Sequence, residues 1–380
     1  MKKLVLLILL LFFASCVEEE RQPFDVMSIF PVGYFDIDTS TEAAITIEPT
    51  MPNEIIEEPE EVFPTFDFRP RSPISGRLID FDDLQRRPVA VVINNHPAAR
   101  PQDGLMDADI IYEVLAEGVT TRFVAIFHSS IPEKIGPVRS TRTYFLDFAL
   151  NHDSIYVHHG GSPSGYTRLR ELGIQNLDGI HLEGTVFWRD RTYPSWTNRS
   201  GEQRDFEHSS YTSKSRIMAN VADRGIRNTI GEDVNFGFRF GSIDISTSEG
   251  AATDFRVPFM SSIYRDFVFN PETGLYYVKA AGEHIRDAAQ GENVTVSTIL
   301  IQQVRIWETD EGAGRRDAAT IGEGTGYMIR DGRYWPVRWE KTSHMSPMRW
   351  YFRDFGGPII ISPGQVWICA IGRTIELEFN

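Results

Sequence analysis

Hydrophobic and polar positions divide the chain into three stretches with different patterns. Residues 4–13 are continuously apolar, a run too short to cross a bilayer comfortably. Residues 17–70 show no regular period, whereas residues 71–380 alternate short apolar runs with amphipathic segments. The pattern therefore predicts a leader, a segment without a core and a folded body.

The first part of the body, residues 71–235, is predicted to alternate strands with helices. Short apolar runs rich in β-branched residues predict strands, at 88–94, 109–117, 120–128 and 154–159. Two further segments predict helices, at 139–151 and 162–172. Ser162 can cap the second helix, and Pro163 is suited to the first position of that helix. This alternation favours an α/β (mixed) N-terminal domain.

The second part, residues 250–380, is predicted to be a β-rich C-terminal domain. A hairpin is predicted at 267–278, and Asp331-Gly332 predicts a tight turn between two further strands. Other apolar runs predict strands, at 298–307, 359–362 and 366–371. Five of the seven tryptophans lie in this part. We expect them in the core, the alternative being exposed rings that stack on glycans.

Charge is concentrated in residues 17–70. This stretch holds fourteen acidic and two basic residues, so it accounts for −12 of the formal net charge of −15 of the whole chain. Proline recurs along it. Such a composition predicts a disordered, extended stalk. The body carries a small net negative charge and gives no electrostatic reason to expect nucleic acid as a partner.

The leader has the pattern of a bacterial lipoprotein signal. Lys2 and Lys3 precede the apolar run, and the small residues Ala14 and Ser15 lead into Cys16. In this interpretation residues 1–16 are the signal with its lipidated cysteine, which carries a diacylglyceryl group with palmitate among its acyl chains. The predicted location is extracytoplasmic, anchored by lipid to the outer face of the cell membrane. The alternatives are an uncleaved anchor or an ordinary signal peptide.

Several blocks of the body resemble the YerB-like lipoprotein family of Gram-positive bacteria. Four lie in the first part: NHPAARPQDGL (95–105), ADIIYEVLAEGVTTR (108–122), IGPVRSTR (135–142) and HHGGSPS (158–164). Two lie in the second part: GEGTGYMIRDGRYWPVRWEK (322–341) and PGQVWICAI (363–371). The sequence departs from the family at 207–212, where members usually have Pro-His-Asn before a similar Tyr-Thr. The resemblance implies a two-domain envelope lipoprotein and brings no established activity.

The best candidate for a binding site is a glycine-rich turn between a predicted strand and a predicted helix. A helix that begins there offers free backbone N–H groups to a phosphate or carboxylate, and a histidine could donate a proton. The residues concerned are His158, His159, Gly160, Gly161 and Ser162. The alternative is an ordinary tight turn, with Ser162 as a helix cap rather than a nucleophile.

Four arginines are candidates for the same anion-binding edge. Arg100 follows a strand, Arg122 lies next to a hairpin turn, and Arg139 and Arg142 are three apart on a predicted helix. Guanidinium groups suit bidentate binding of phosphate. The alternative is that the arginines form structural ion pairs with nearby acids.

The candidate acids are Glu113, Glu117 and Asp147. Glu113 and Glu117 are four apart on a predicted strand and are expected on one face. No histidine pair has the spacing of a known zinc motif, so no metal site is predicted.

The sequence is compatible with three functions. The favoured one is a non-catalytic lipoprotein that binds a cell-wall component or an envelope protein and needs no cofactor. The second is a phosphotransferase or hydrolase that acts on a polyprenyl-pyrophosphate-linked wall precursor, with Mg²⁺ held by an acid such as Asp147 or Glu113. This alternative rests on a distant similarity to LytR-type phosphotransferases. The third is a structural connector.

Overall fold

The computed structural model describes residues 67–191, 205–232 and 234–380. The predicted leader and nearly all of the predicted stalk lie outside these ranges. Within them, no helix is both long enough and apolar enough to cross a membrane.

The described residues of the first part form seven strands and four α-helices. The strands are β1 (Val89–Asn94), β2 (Ile110–Glu117), β3 (Thr120–Phe127), β4 (Ile155–His158), β5 (Asn176–Asp178), β6 (Trp188–Arg189) and β7 (Ser210–Tyr211). The helices are α1 (Thr143–Leu150), α2 (Pro163–Glu171), α3 (Gly179–Leu182) and α4 (Lys214–Asp223). The predicted strands of this part are present as β1 to β4.

The second part is taken from residue 236 onward; its described residues form strands and one short 3-10 turn, Ile245–Thr247, and no α-helix lies among them. Its first strands are β8 (Arg239–Phe240), β9 (Gly250–Ala251), β10 (Asp254–Met260), β11 (Ile263–Asn270), β12 (Leu275–Ala280), β13 (Glu283–His284), β14 (Thr295–Val296) and β15 (Thr298–Val304). Its later strands are β16 (Ile306–Glu308), β17 (Arg316–Ala318), β18 (Gly322–Arg330), β19 (Arg333–Lys341), β20 (Arg349–Phe352), β21 (Ile360–Ile361) and β22 (Val366–Gly372).

The hairpin turn at Asp331-Gly332 has the backbone conformation that the sequence predicts. Asp331 and Gly332 both have positive φ, +52° and +72°, as a two-residue type I′ hairpin requires. The predicted Asp-Gly turn therefore joins β18 to β19.

One central sheet crosses both parts of the body. Its order is β20-β19-β18-β15-β22-β2-β3-β1-β4-β5, and β9 also pairs with β19. Strand β22 lies between β15 and β2 and is parallel to both. The predicted class, a mixed α/β part followed by a β-rich part, is confirmed, and the described residues from 67 to 380 belong to one compact unit.

Each face of the central sheet is covered by a different set of elements. A second sheet, in the order β10-β11-β12-β13 with β14 on β12, packs on one face together with α4. Helices α1 and α2 pack on the other face. Four of the five tryptophans of the second part are buried, whereas Trp307 is 36% exposed. The tryptophans therefore mainly build the core.

Two local predictions in the first part are wrong. Helix α1 begins at Thr143, and Arg142 before it is extended, with φ −132° and ψ 163°. The segment before α1 keeps an extended conformation because its backbone is hydrogen-bonded on both sides. The Arg139 N–H donates to the Val92 carbonyl, and the Thr141 N–H donates to the Gly160 carbonyl. Arg139 and Arg142 are therefore not neighbours on a helix face.

Glu113 and Glu117 do not share a face of β2. The register between β2 and β3 shifts between Leu115 and Glu117, as in a β-bulge, where an extra residue turns the following side chain over. Glu113 accepts a hydrogen bond from Thr121, whereas Glu117 contacts Arg122. Since successive residues of a strand point to opposite faces, the two carboxylates lie on opposite sides of the sheet.

Candidate functional site

The candidate site lies where several strands of the central sheet end together. Strand β4 is parallel to both β1 and β5, so the carboxyl ends of these three strands lie side by side. Strand β3 runs the other way, and its residue Arg122 pairs with Asn94 at the end of β1. We call this region the carboxyl edge. Ligands of open α/β sheets commonly bind at such an edge.

The glycine-rich turn after β4 uses its backbone donors within the protein. The Gly160 N–H donates to Asp178 Oδ1 at 2.8 Å, and the Gly165 N–H donates to Ser162 Oγ at 3.1 Å. The Ser164 N–H donates to Glu311 Oε1 at 2.7 Å. The beginning of α2 therefore already holds a carboxylate from the second part, and Ser162 is the predicted cap.

The other residues of this turn are also held by internal contacts. His158 is fully buried. Its Nδ1 lies 2.8 Å from the Gly160 carbonyl, and its Nε2 lies 3.0 Å from Asn176 Oδ1. Gly161 is bridged to Thr141, and a Cβ on Gly161 would lie 2.8 Å from the Thr141 side chain. The turn is thus packed closely against the segment that carries Arg139 and Arg142.

Arg122 and Arg142 share one carboxylate. Both guanidinium groups contact Glu117, and both also donate to backbone carbonyls, those of Ser140 and Thr141, at 2.7 Å. Burial raises the pKa of Glu117, but attraction to Arg122 and Arg142 outweighs burial and holds this pKa below its usual value. These two arginines therefore form a buried, internally paired group.

Arg139 is placed differently from the other two arginines. Its side chain is 21% exposed and lies 3.2 Å from Glu207 Oε1, and the Glu207 side chain is 55% exposed. Its backbone is fixed between β1 and β4, because the His159 N–H donates to the Arg139 carbonyl. The Arg139 side chain therefore lies at the surface of the carboxyl edge.

His159 lies close to two arginines and is neutral. An Arg189 nitrogen lies 3.0 Å from His159 Nε2, and Ser210 Oγ lies 2.7 Å from His159 Nδ1. Burial lowers the pKa of His159 to about 4, with further lowering from Arg189 and Arg139. Because a guanidinium can only donate, Nε2 accepts and Nδ1 carries the proton. His159 therefore donates to Ser210 and cannot act as its general base in this arrangement.

His208 is a second neutral histidine at the same edge. Burial lowers its pKa to about 4, and Arg139 lowers it further. Asn94 Oδ1 accepts from the His96 N–H, so the Asn94 amide nitrogen is the donor to His208 Nδ1, at 2.7 Å. The His208 proton then lies on Nε2, which is 3.6 Å from Glu207 Oε1. Arg139 and His208 therefore both present N–H donors beside one half-exposed carboxylate.

Two of the candidate acids lie apart from the arginine group. Glu113 is fully buried and pairs with Arg265. Asp147 contacts His344 and Thr320, at 2.5 Å each. Both acids are engaged by other side chains of the protein, and none of these contacts involves Arg139. Among the residues that the structure describes, no group of three His, Cys, Asp or Glu side chains could hold a metal ion.

Arg100 is also outside the arginine group. Its Nε donates to Asn95 Oδ1 at 3.1 Å, and one terminal nitrogen donates to the Asn95 carbonyl at 3.0 Å. It lines a separate pocket formed with residues of β12 and β13. Of the four predicted arginines, the fold therefore pairs Arg122 and Arg142 with Glu117 and places Arg139 near them at the surface. Arg100 lies apart.

Arg189 and Glu207 belong to the site and were not predicted from the sequence. Arg189 lies in the two-residue strand β6, and Glu207 lies in a 3-10 turn before β7. Neither position has a periodic pattern that would single it out. The only available signal was the departure from the family pattern at residues 207–212.

The comparisons with known proteins agree with the predicted resemblance. Residues 74–227 match the N-terminal domain, and residues 255–368 the C-terminal domain, of a family described as a protein of unknown function (DUF3048).

A relative from Bacillus subtilis (strain 168), described as putative lipoprotein YerB, is 31% identical over 303 residues, which are 78% of this chain and 85% of the relative. The crystal structure of the YerB protein from Bacillus subtilis matches with a TM-score of 0.66 and 31% identity, over 79% of this chain and 96% of that one. The predicted YerB-like resemblance is thus confirmed, and the chain belongs to the DUF3048 family.

Proposed function

We propose that this protein is an extracytoplasmic lipoprotein that binds an anionic ligand at its carboxyl edge. The anchor would be the lipid on Cys16, on the outer face of the cell membrane. The leader pattern supports this placement, as does the description of the Bacillus subtilis relative as a putative lipoprotein. The ligand would carry a phosphate, a pyrophosphate or a carboxylate.

One observation carries the proposal: two arginines lie near neutral His159 and are paired with partly exposed carboxylates. These arginines are Arg139 and Arg189, and both lower the pKa of His159. Arg139 pairs with Glu207, and Arg189 pairs with Glu183 at 3.1 Å, where the Glu183 side chain is 41% exposed. Exposed ion pairs are worth about 0–1 kcal/mol. A phosphate that binds a guanidinium through two oxygens can therefore displace such a carboxylate.

The buried arginines support this surface without contacting the ligand. Arg122 and Arg142 together carry two positive charges against the single carboxylate of Glu117. Their excess charge acts through the protein interior, where screening by salt is weaker than at the surface. We expect this charge to favour an anion at Arg139.

His208 adds a hydrogen-bond donor at little electrostatic cost. His208 presents Nε2–H beside Arg139, and the residue as a whole is 2% exposed. An anion next to a neutral N–H donor gains a hydrogen bond, and it also favours protonation of the ring. The site would therefore bind the anion more tightly when the histidine is charged.

The test is a calorimetric titration of the full chain, in mild detergent, with inorganic pyrophosphate. We expect binding that weakens at least tenfold in Arg139→Gln. The matched control is Arg224→Gln, because Arg224 is an exposed arginine at the end of α4. Absence of binding, or equal binding by both variants, would refute the proposal. A parallel titration with a soluble isoprenyl pyrophosphate shows whether a polyprenyl group adds affinity.

A further inference from the structure

A pocket of about 270 Å³ lies between the segment before β2 and the strands β12 and β13, and its lining residues differ from those of the carboxyl edge. One wall contains Arg100, Pro101 and Gln102. The opposite wall comes from the second part, and its members are Ala280, Glu283, His284, Ile285, Arg286, Asp287, Ala288 and Gly291. Both parts of the chain therefore contribute to this pocket.

Hydrogen bonds between the two walls hold the pocket in shape. The Ala288 N–H donates to the Gln102 carbonyl at 2.7 Å. The Met106 N–H donates to Asp287 Oδ2 at 3.0 Å, and Asp287 is fully buried. Asp287 also accepts from the N–H groups of Ala289 and Gln290. Its carboxylate is thus used to fix the wall.

Gln102 has a buried oxygen that is not satisfied. The residue is fully buried, and its amide nitrogen donates to the Asn94 carbonyl at 3.0 Å and to Asn95 Oδ1 at 3.2 Å. Two acceptors around the nitrogen fix the orientation of the amide. Its Oε1 has no hydrogen-bond partner among the described residues. A buried acceptor without a partner costs about 1–3 kcal/mol, so a donor is expected there.

The rim carries charges of both signs, Arg286 and Glu283, and the wall adds apolar contacts. Arg286 is exposed, and one terminal nitrogen donates to the Gly291 carbonyl at 2.6 Å. A guanidinium at the rim suits a carboxylate. Ala280 and Ile285 provide a small apolar surface. His284 Nδ1 is also buried without a partner among the described residues, and burial lowers the pKa of His284.

We propose that this pocket binds a small ligand with a carboxylate and an N–H donor on the adjacent carbon, that is, an amino acid or the carboxyl-terminal residue of a peptide. The carboxylate would contact Arg286, the N–H would donate to Gln102 Oε1, and a small side chain would lie against Ala280. The volume lies just below the usual range of about 300–1,000 Å³ for ligand pockets. One residue with its acyl group therefore fits better than a longer ligand.

The test is a set of calorimetric titrations of the full chain in mild detergent. Alanine and N-acetyl-alanine distinguish a free amino acid from a peptide end. Propionate lacks the N–H donor, and N-acetyl-alaninamide lacks the carboxylate. We expect one of the first two to bind at least tenfold more tightly than both of the others. Binding by none of the four, or equal binding by all four, would overturn the proposal.

Two variants locate the binding. Arg286→Gln removes the rim charge and is expected to weaken binding at least tenfold. Ala288→Phe fills the pocket without changing charge and is expected to abolish binding. Arg353→Gln, at an exposed arginine elsewhere, is the control. Circular dichroism checks folding, and Arg286→Gln remains decisive if Ala288→Phe does not fold. Unchanged binding in folded Arg286→Gln would contradict the assignment.

Discussion

Glu113 and Arg265 form a fully enclosed ion pair, with Glu113 Oε1 2.5 Å from an Arg265 terminal nitrogen. Glu113 is on β2 of the central sheet, and Arg265 is on β11 of the second sheet. Glu113 also accepts hydrogen bonds from Thr121 and from the Trp367 indole. The pair therefore joins the two sheets at their contact surface.

Arg265→Met is expected to destabilise the protein by about 3–5 kcal/mol, because it leaves the Glu113 carboxylate buried without its counter-charge. Urea unfolding followed by tryptophan fluorescence measures the change. The double variant Glu113→Gln/Arg265→Met removes both charges and should recover part of the loss. If the loss of stability in the double variant equals the sum of the losses in Arg265→Met and Glu113→Gln, the two residues do not interact.

Glu207→Gln is expected to tighten pyrophosphate binding several-fold. It removes the carboxylate that competes with the ligand for Arg139, and a half-exposed ion pair adds little stability. Calorimetry measures the affinity, and thermal unfolding should change little. Glu272→Gln, at an exposed glutamate in the β11–β12 turn, is the control. Weaker binding in Glu207→Gln would mean that Glu207 contacts the ligand favourably.

Anion binding is expected to tighten as the pH falls from about 6.5 towards about 4. The pKa of His208 is about 4 in the free protein because of burial and Arg139. A bound anion raises this pKa, so binding takes up protons and lower pH favours the complex. Sulfate is a suitable ligand because its charge is constant over this range.

Glu207 also lies beside His208 and competes with the anion for Arg139. His96 and Asp205 act on His208 as well. The pH series is therefore repeated in Glu207→Gln. We expect the pH dependence to persist there and to disappear in Glu207→Gln/His208→Gln. A flat profile in Glu207→Gln would contradict the assignment of the effect to His208.

Much of the fold could be predicted from the sequence because its signals are local. Apolar runs predict β1 to β4, and the Asp-Gly pair predicts the turn before β19. The start of α2 follows from Ser162 and Pro163. In each case the determining residues lie within a few positions of each other.

The parts that could not be predicted depend on distant residues. The insertion of β22 between β15 and β2 places Cys369 opposite both Ile301 and Glu113, and no local pattern indicates those partners. The bulge in β2 depends on its pairing with β3. Arg265 and Glu311 reach the first part from the second, so their partners could not be identified from spacing along the chain.

Ser162→Ala is expected to destabilise the protein by about 1 kcal/mol and to leave pyrophosphate binding unchanged. The Ser162 hydroxyl accepts from the Gly165 N–H at the beginning of α2, and loss of such a cap has about this cost. Urea unfolding and calorimetry measure the two effects. Ser162→Asp keeps a capping oxygen and should retain most of the stability. A loss of affinity in Ser162→Ala would indicate that the hydroxyl contacts the ligand.

Residues 71–235 expressed alone are expected to fail to fold. Strand β22 is the neighbour of β2 on the side away from β3, so without it β2 exposes a hydrogen-bonding edge and the apolar side chains of a central strand. Co-expression with residues 236–380 should restore solubility, because it supplies β22. Soluble yield and circular dichroism measure the outcome, with residues 65–380 as the control. A folded, monomeric 71–235 fragment would show that the first part is stable without its shared strand.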